Sequence, residues 1–252
     1  MLIFSHLLIL VSLTLAFTNS TENKPKIQVP LEIPMGQLLN NEIPENWKML
    51  FKAVKDGNIT VIENALRAGY NPHTYWSNKM TLMHEAARNG NIAVFNLLLA
   101  YGDNASKSGG FNLGPIDLAV SNGHTPFTRI LLEHGANPNS HPRMGFNEPI
   151  FEATSANNYE MVVLLLEFGG SPDAQDQEGT RYALHVAAEK GYTAIVELLL
   201  SAGADPRVKT SSMFTVYDEN GKAKKYETKT PLDLAANDEI KKLIHAALSK
   251  IQ

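Results

Sequence analysis

A histidine stands directly beside a glutamate in the stretch TLMHEAARNG at 81–90, and His84 with Glu85 is the pair in this chain best placed to do chemistry. A zinc hydrolase helix would read H-E-x-x-H. Two histidines four apart share one helix face around a metal, and the glutamate takes a proton from the bound water. Position 88 here is arginine, whose charge repels a cation. The neighbourhood recurs as YALHVAAEKG at 182–191, where Val186 replaces the glutamate. The chain has no cysteine, which removes thiolate nucleophiles, disulfides and Cys-based zinc sites together. Nothing resembles a nucleophile elbow, a phosphate loop or a carboxylate ligand set; the glycine-rich SKSGGFNLG at 106–114 does not lie between a strand and a helix. The expectation is therefore no catalytic residue, no metal and no cofactor.

The elements that carry these residues repeat. Ala53, Ala86, Ala119, Ala153, Ala187 and Ala235 follow one another at spacings of 33, 33, 34, 34 and 48. Four positions after the first five alanines come Gly57, Gly90, Gly123, Asn157 and Gly191, residues that tolerate the left-handed backbone ending a helix. Eight after them stand Val61, Val94, Phe127, Met161 and Ile195. Pairs such as Leu97–Leu98, Ile130–Leu131, Leu164–Leu165 and Leu198–Leu199 then complete one face of a second helix. Gly69, Gly102, Gly135, Gly169 and Gly203 stop that helix. Each unit is thus two short antiparallel helices and a loop, with an apolar face that only a stacked neighbour can bury.

The motifs TLMHEA (81–86), GPIDLA (114–119), EPIFEA (148–153), YALHVA (182–187) and TPLDLA (230–235), with GANPN at 135 and GADPR at 203, resemble the ankyrin repeat. The resemblance covers residues 47 to 252 and implies an all-α solenoid of about six helix-turn-helix units with projecting β-turn fingers, near 47–79, 80–112, 113–146, 147–180, 181–213 and 228–252. It also implies that the histidine of T-P-L-H bonds loop to helix, so His84 and His185 are structural; Phe51, Asp117, Phe151 and Asp233 are their counterparts. Glu85 takes the adjacent, more exposed position, solvated or facing a partner. The first unit lacks the Thr-Pro signature and the last lacks the inter-helix glycine, as terminal caps with wet outer faces would.

Two further segments flank or interrupt the repeats. Residues 2–17 are apolar apart from Ser5, His6, Ser12 and Thr14, and the first charged side chain is Glu22. The run is shorter than the about 20 residues of a spanning helix, so residues 1–20 are expected to be a cleaved signal peptide, with an uncleaved membrane anchor as the alternative. Residues 21–43, with Pro25, Pro30 and Pro34, read as an extended linker before a repeat domain at 44–252. Thr230 follows Gly203 by 27 residues where the equivalent step elsewhere is 12 or 13. The excess at 209–229 is expected to be a hairpin turning at Asn220–Gly221 with Glu219 opposite Lys222.

With 22 Lys+Arg against 26 Asp+Glu and a net charge of −4, the chain lacks the basic excess that neutralises phosphates, which argues against nucleic acid. The resemblance implies a protein–protein interaction module, here expected to be a secreted or periplasmic monomer without membrane contact once the leader is removed. Two alternatives belong to other classes: an exported effector that occupies a host protein, and an enzyme with its site at the groove or the inserted hairpin. The fingertips point to binding. Tyr75 and Trp76 fall on the first finger, Phe111 on the second, and His141, Arg143, Met144 and Phe146 on the third, whereas Gln175, Asp176, Gln177 and Glu178 make the fourth polar. Aromatic, Met and Arg side chains are those enriched at interface hot spots. Stacking should gather Tyr75, Trp76 and Phe111 into one apolar patch, with Arg88, Asn89, Ser121 and Asn122 lining the same groove.

Overall fold

The computed structural model describes residues 45–75, 79–143, 145–211, 216–217, 223–224 and 228–251. Among the described residues twelve α-helices stack in pairs: α1 (Glu45–Lys55) with α2 (Ile59–Arg67), α3 (Leu82–Asn89) with α4 (Ile92–Ala100), and α5 (Pro115–Ser121) with α6 (Thr125–Glu133). They continue as α7 (Pro149–Ser155) with α8 (Tyr159–Glu167), α9 (Ala183–Lys190) with α10 (Thr193–Ser201), and α11 (Pro231–Leu234) with α12 (Asp238–Ser249). The first helix of each pair packs on the first helix of the next, all along the stack. Alanine makes that approach possible, since Ala86, Ala119, Ala153 and Ala187 are buried at the contact.

The second layer holds the larger side chains. Leu98, Leu131, Leu165 and Leu199 form a fully buried ladder, and Phe95 meets Phe127 edge to face with ring centroids 5.3 Å apart. Within a pair, the chain reverses through a residue at positive φ: Gly57, Gly90, Gly123, Gly191 and, without glycine, Asn157 at 54°. At Gly90 the reason is also steric, because a Cβ there would lie 2.8 Å from the ring of His124. Asn58, Asn91, Asn158 and Asn237 cap the second helices, each side-chain oxygen accepting a backbone N–H three residues on. His124 occupies the equivalent place in the third unit and instead bonds the Arg88 carbonyl of the preceding unit at 3.0 Å.

The ends differ as caps must. Leu50, Val54 and Ile62 face inward from the first unit while Met49, Lys52 and Lys55 face water. In the last, α11 is four residues long and breaks at Ala235 without a glycine. Ile240 and Ile244 are buried where α12 packs on α10, and Lys241, Lys242 and Lys250 are exposed. Within the long insertion, β1 (Val216–Tyr217) pairs antiparallel with β2 (Ala223–Lys224). Thr210 and Lys229 close its foot, through Thr210 N–H to the Lys229 carbonyl and Lys229 N–H to the Thr210 hydroxyl, both 2.9 Å. Val216 opposes Lys224 and Tyr217 opposes Ala223. Positions 218–222, on which the expected Asn220–Gly221 turn and the Glu219–Lys222 pair fall, lie outside the described residues.

Candidate functional site

The His84 imidazole is fully buried and spans two units. Its Nδ1 accepts the Thr81 backbone N–H at 3.2 Å, and Nε2 lies 3.1 Å from the Leu113 carbonyl. A carbonyl only accepts, so Nε2 carries the proton. Burial drives the pKa down to about 4, which keeps the ring neutral. His185 repeats the arrangement with Tyr182 N–H at 3.1 Å and the Lys229 carbonyl at 3.0 Å, and burial lowers its pKa too. In the third unit Asp117 does the same work with reversed polarity: it accepts the Gly114 N–H at 2.6 Å and the hydroxyl of Ser140 from the next finger. Burial pushes its carboxyl up to about 6. Asp233 makes only the local half, to Thr230 N–H and hydroxyl, and the backbone bond holds its pKa below the usual range.

Glu85 is less free than its place in the motif suggests. Its side chain is 12% exposed, accepting Asn89 Nδ2 at 2.9 Å with the Arg88 guanidinium at 3.4 Å. It braces the end of α3, a role that sequence spacing of three and four supplies without any partner. Two further imidazole–carboxylate contacts join units, His73 to Asp103 at 3.0 Å and His141 to Glu148 at 2.7 Å. No group of three or more His, Asp or Glu side chains is arranged to hold a metal among the described residues.

The fingertips converge on a cleft of about 830 Å³ between the first, second and third fingers, lined by Lys79, residues 109–112, His141 and Arg143. Phe111 lines it, 46% exposed, in a short 3₁₀ turn (Gly110–Asn112) with φ 61° and ψ 26°. Left-handed backbone is costly for a bulky residue. Cross-finger bonds impose it here: Arg143 N–H donates to the Phe111 carbonyl at 3.0 Å, and the Asn112 amide donates to the His141 carbonyl at 2.9 Å. On the other side Gly109 packs so closely that a Cβ would lie 2.8 Å from the Lys79 carbonyl oxygen. Lys79 and Asn112 are left-handed as well, so of the four non-glycine residues at positive φ among those described, three line this cleft and the fourth, Asn157, ends a helix.

The remaining expected site residues fall in different surroundings. Trp76 and Met144 lie outside the described residues. Tyr75 is half-buried with Lys107 Nζ 4.3 Å from its ring centre, and its ring does not stack on that of Phe111. Phe146 packs against the core. Asn89, Ser121 and Asn122 turn their side chains onto carbonyls of their own helices, at 2.8, 3.2 and 2.8 Å, while Arg88 is exposed at the rim. Lys79 and Asn112 line this cleft without a signal in the sequence, since a non-glycine residue in left-handed backbone leaves no periodic mark. The polar fourth finger is not idle either, since Gln177 Oε1 accepts the Gly145 N–H at 2.5 Å.

A family model described as Ankyrin repeats (3 copies) matches residues 50–142 and 150–250. Among solved structures, the crystal structure of the human ASB11 ankyrin repeat domain superposes with a TM-score of 0.61, at 22% identity, covering 96% of this chain and 93% of that one. At that identity the likeness concerns the fold. A comparison with curated proteins gave no match.

Proposed function

The chain belongs to the ankyrin repeat family, and on that premise we propose that it is an exported, monomeric, non-enzymatic scaffold that holds a partner protein against its first three fingers and the adjoining rim of α3 and α5. Ankyrin repeats are generally protein–protein interaction modules. Support for this particular face comes from one observation: a large aromatic, Phe111, is held half out of the protein in backbone that costs about 1–2 kcal/mol for a residue with a Cβ. Packing within the chain gains little from it. Strain of this kind accumulates where surrounding structure over-determines a functional geometry.

A side chain fixed before contact also loses less entropy on binding, which raises affinity. Phe111→Ala should therefore leave the thermal midpoint nearly unchanged and weaken capture of the partner about thirtyfold, the loss of ~2 kcal/mol typical of an aromatic hot spot. Glu178→Ala, on the exposed tip of the fourth finger, is the control. Equal capture by both variants would show that the cleft is not the contact. The apolar run at 2–17 supports export. N-terminal sequencing of protein recovered outside the cytoplasm should find a start between Phe17 and Glu22; an intact leader on a membrane-bound product overturns that part.

A further inference from the structure

The tips of the three fingers around the cleft carry no acid, and the acids at their feet, Asp103 and Glu148, are taken up by His73 and His141. Neither Asp nor Glu occurs from Asn71 to His84, from Asn104 to Ile116 or from Asn137 to Asn147, in a chain whose net charge is −4. Basic side chains are present on all three: Lys79, Lys107 and Arg143, with His73 and His141 beside them. The histidines already face carboxylates, and Lys107 rests on Tyr75. Arg143 is different from every other arginine. Arg67, Arg88, Arg129, Arg181 and Arg207 each lie within 3.4 Å of a carboxylate oxygen, whereas Arg143, exposed at the cleft, forms no ion pair among the described residues. Lys79, which lines the same cleft, forms none among the described residues either.

Taking the cleft as the contact face, we propose that what it receives is an acidic peptide segment of the partner, with carboxylates for Arg143 and Lys79 and an apolar side chain between them for Phe111. A guanidinium with all its donors free takes a carboxylate through two parallel bonds. The cleft is open to solvent along the fingertips, as a site for an extended segment must be. A nucleic acid fits less well, because it needs a continued basic track. The next finger along the stack instead carries Asp173 and Asp176, whose carboxylates accept backbone N–H bonds from Asp205 and Thr180, and the exposed Glu178. Those acids would also keep a carboxylate-rich peptide on the first three fingers and fix its direction along the groove.

The test is fluorescence anisotropy of the full chain with three labelled probes: an acidic peptide of alternating Glu and Leu, its Gln-for-Glu counterpart, and a single-stranded oligonucleotide of equal charge. The acidic peptide should bind, and the Gln peptide should not. Arg143→Gln and Lys79→Gln should each weaken it by about tenfold, as should raising salt from about 50 to about 300 mM, while Arg129→Gln changes nothing. Equal binding of the Gln peptide, stronger binding of the oligonucleotide, or indifference to Arg143→Gln overturns the inference, as does failure of the acidic peptide to bind. Phe111→Ala separates the two readings. If it abolishes binding of the Gln peptide as well, the cleft remains the contact face and only the acidic partner is wrong.

Discussion

His84 and Asp117 occupy equivalent positions in neighbouring units, are both buried, and carry opposite charge when ionised, so their effects on stability should run against each other with pH. The His84 ring has a folded pKa of about 4 against 6.5 in the unfolded chain. A base depressed by folding contributes stability that is whole above the unfolded value and disappears as pH falls toward the folded one. The loss is roughly 3 kcal/mol between those limits. Asp117 is raised from 3.8 to about 6. An acid raised by folding stabilises below its unfolded value and loses that stabilisation, also roughly 3 kcal/mol, as pH climbs through 6. From about pH 4 to about pH 6.5 the two slopes oppose, and the native protein should show little net change from this pair. Removing one partner should expose the other: Asp117→Asn, whose amide oxygen can still accept the Gly114 N–H while its nitrogen donates to the Ser140 hydroxyl, should make stability rise with pH, and His84→Asn should make it fall. Urea titrations followed by circular dichroism in half-unit steps of pH, checked for a constant denaturant slope, give the difference curves. Curves parallel to that of the native protein for both variants would refute the burial argument. The Asp117 variant alone decides the His84 slope if the His84 variant is too unstable to measure.

Two other outcomes follow from the packing. Deleting residues 230–252 removes α11 and α12 and uncovers Leu199, so the shortened chain should scatter light at concentrations where the parent does not; an equally soluble product would refute the capping role. Gly90→Ala combines a positive φ with a Cβ 2.8 Å from the His124 ring, whereas Gly102→Ala has the positive φ and nothing within 4 Å. The second should cost about 1–2 kcal/mol and the first clearly more, and equal thermal midpoints would show that His124 yields freely.

The solenoid was legible because its contacts recur at fixed sequence spacing. Ala86, Leu98 and Gly102 hold the same places as Ala119, Leu131 and Gly135, so periodicity alone assigns each to a helix contact, a core ladder or a helix stop. The bracket at His84 and His185 followed from the family resemblance, and the structure adds that Asp117 closes the same bracket by accepting where histidine donates. The fingers carry no such period. Whether Phe111 is free or packed depends on which loop, some thirty residues away, lies beside it, and that is set by the superposition of units. Tyr75 therefore meets Lys107, Phe146 turns to the core, and Gln177 reaches back to Gly145. Glu85, read as open from its place on the helix, is covered by Asn89 and Arg88. The left-handed backbone at Lys79, Phe111 and Asn112 was the least legible feature, because no side chain there calls for it. Sequence by itself determined the repeat, its helix stops and its caps, all of which arise within a unit or between identical neighbours. Only the tertiary structure decided the cleft, because bonds between loops distant in sequence, Arg143 N–H to the Phe111 carbonyl above all, hold its backbone in a conformation that local preference disfavours.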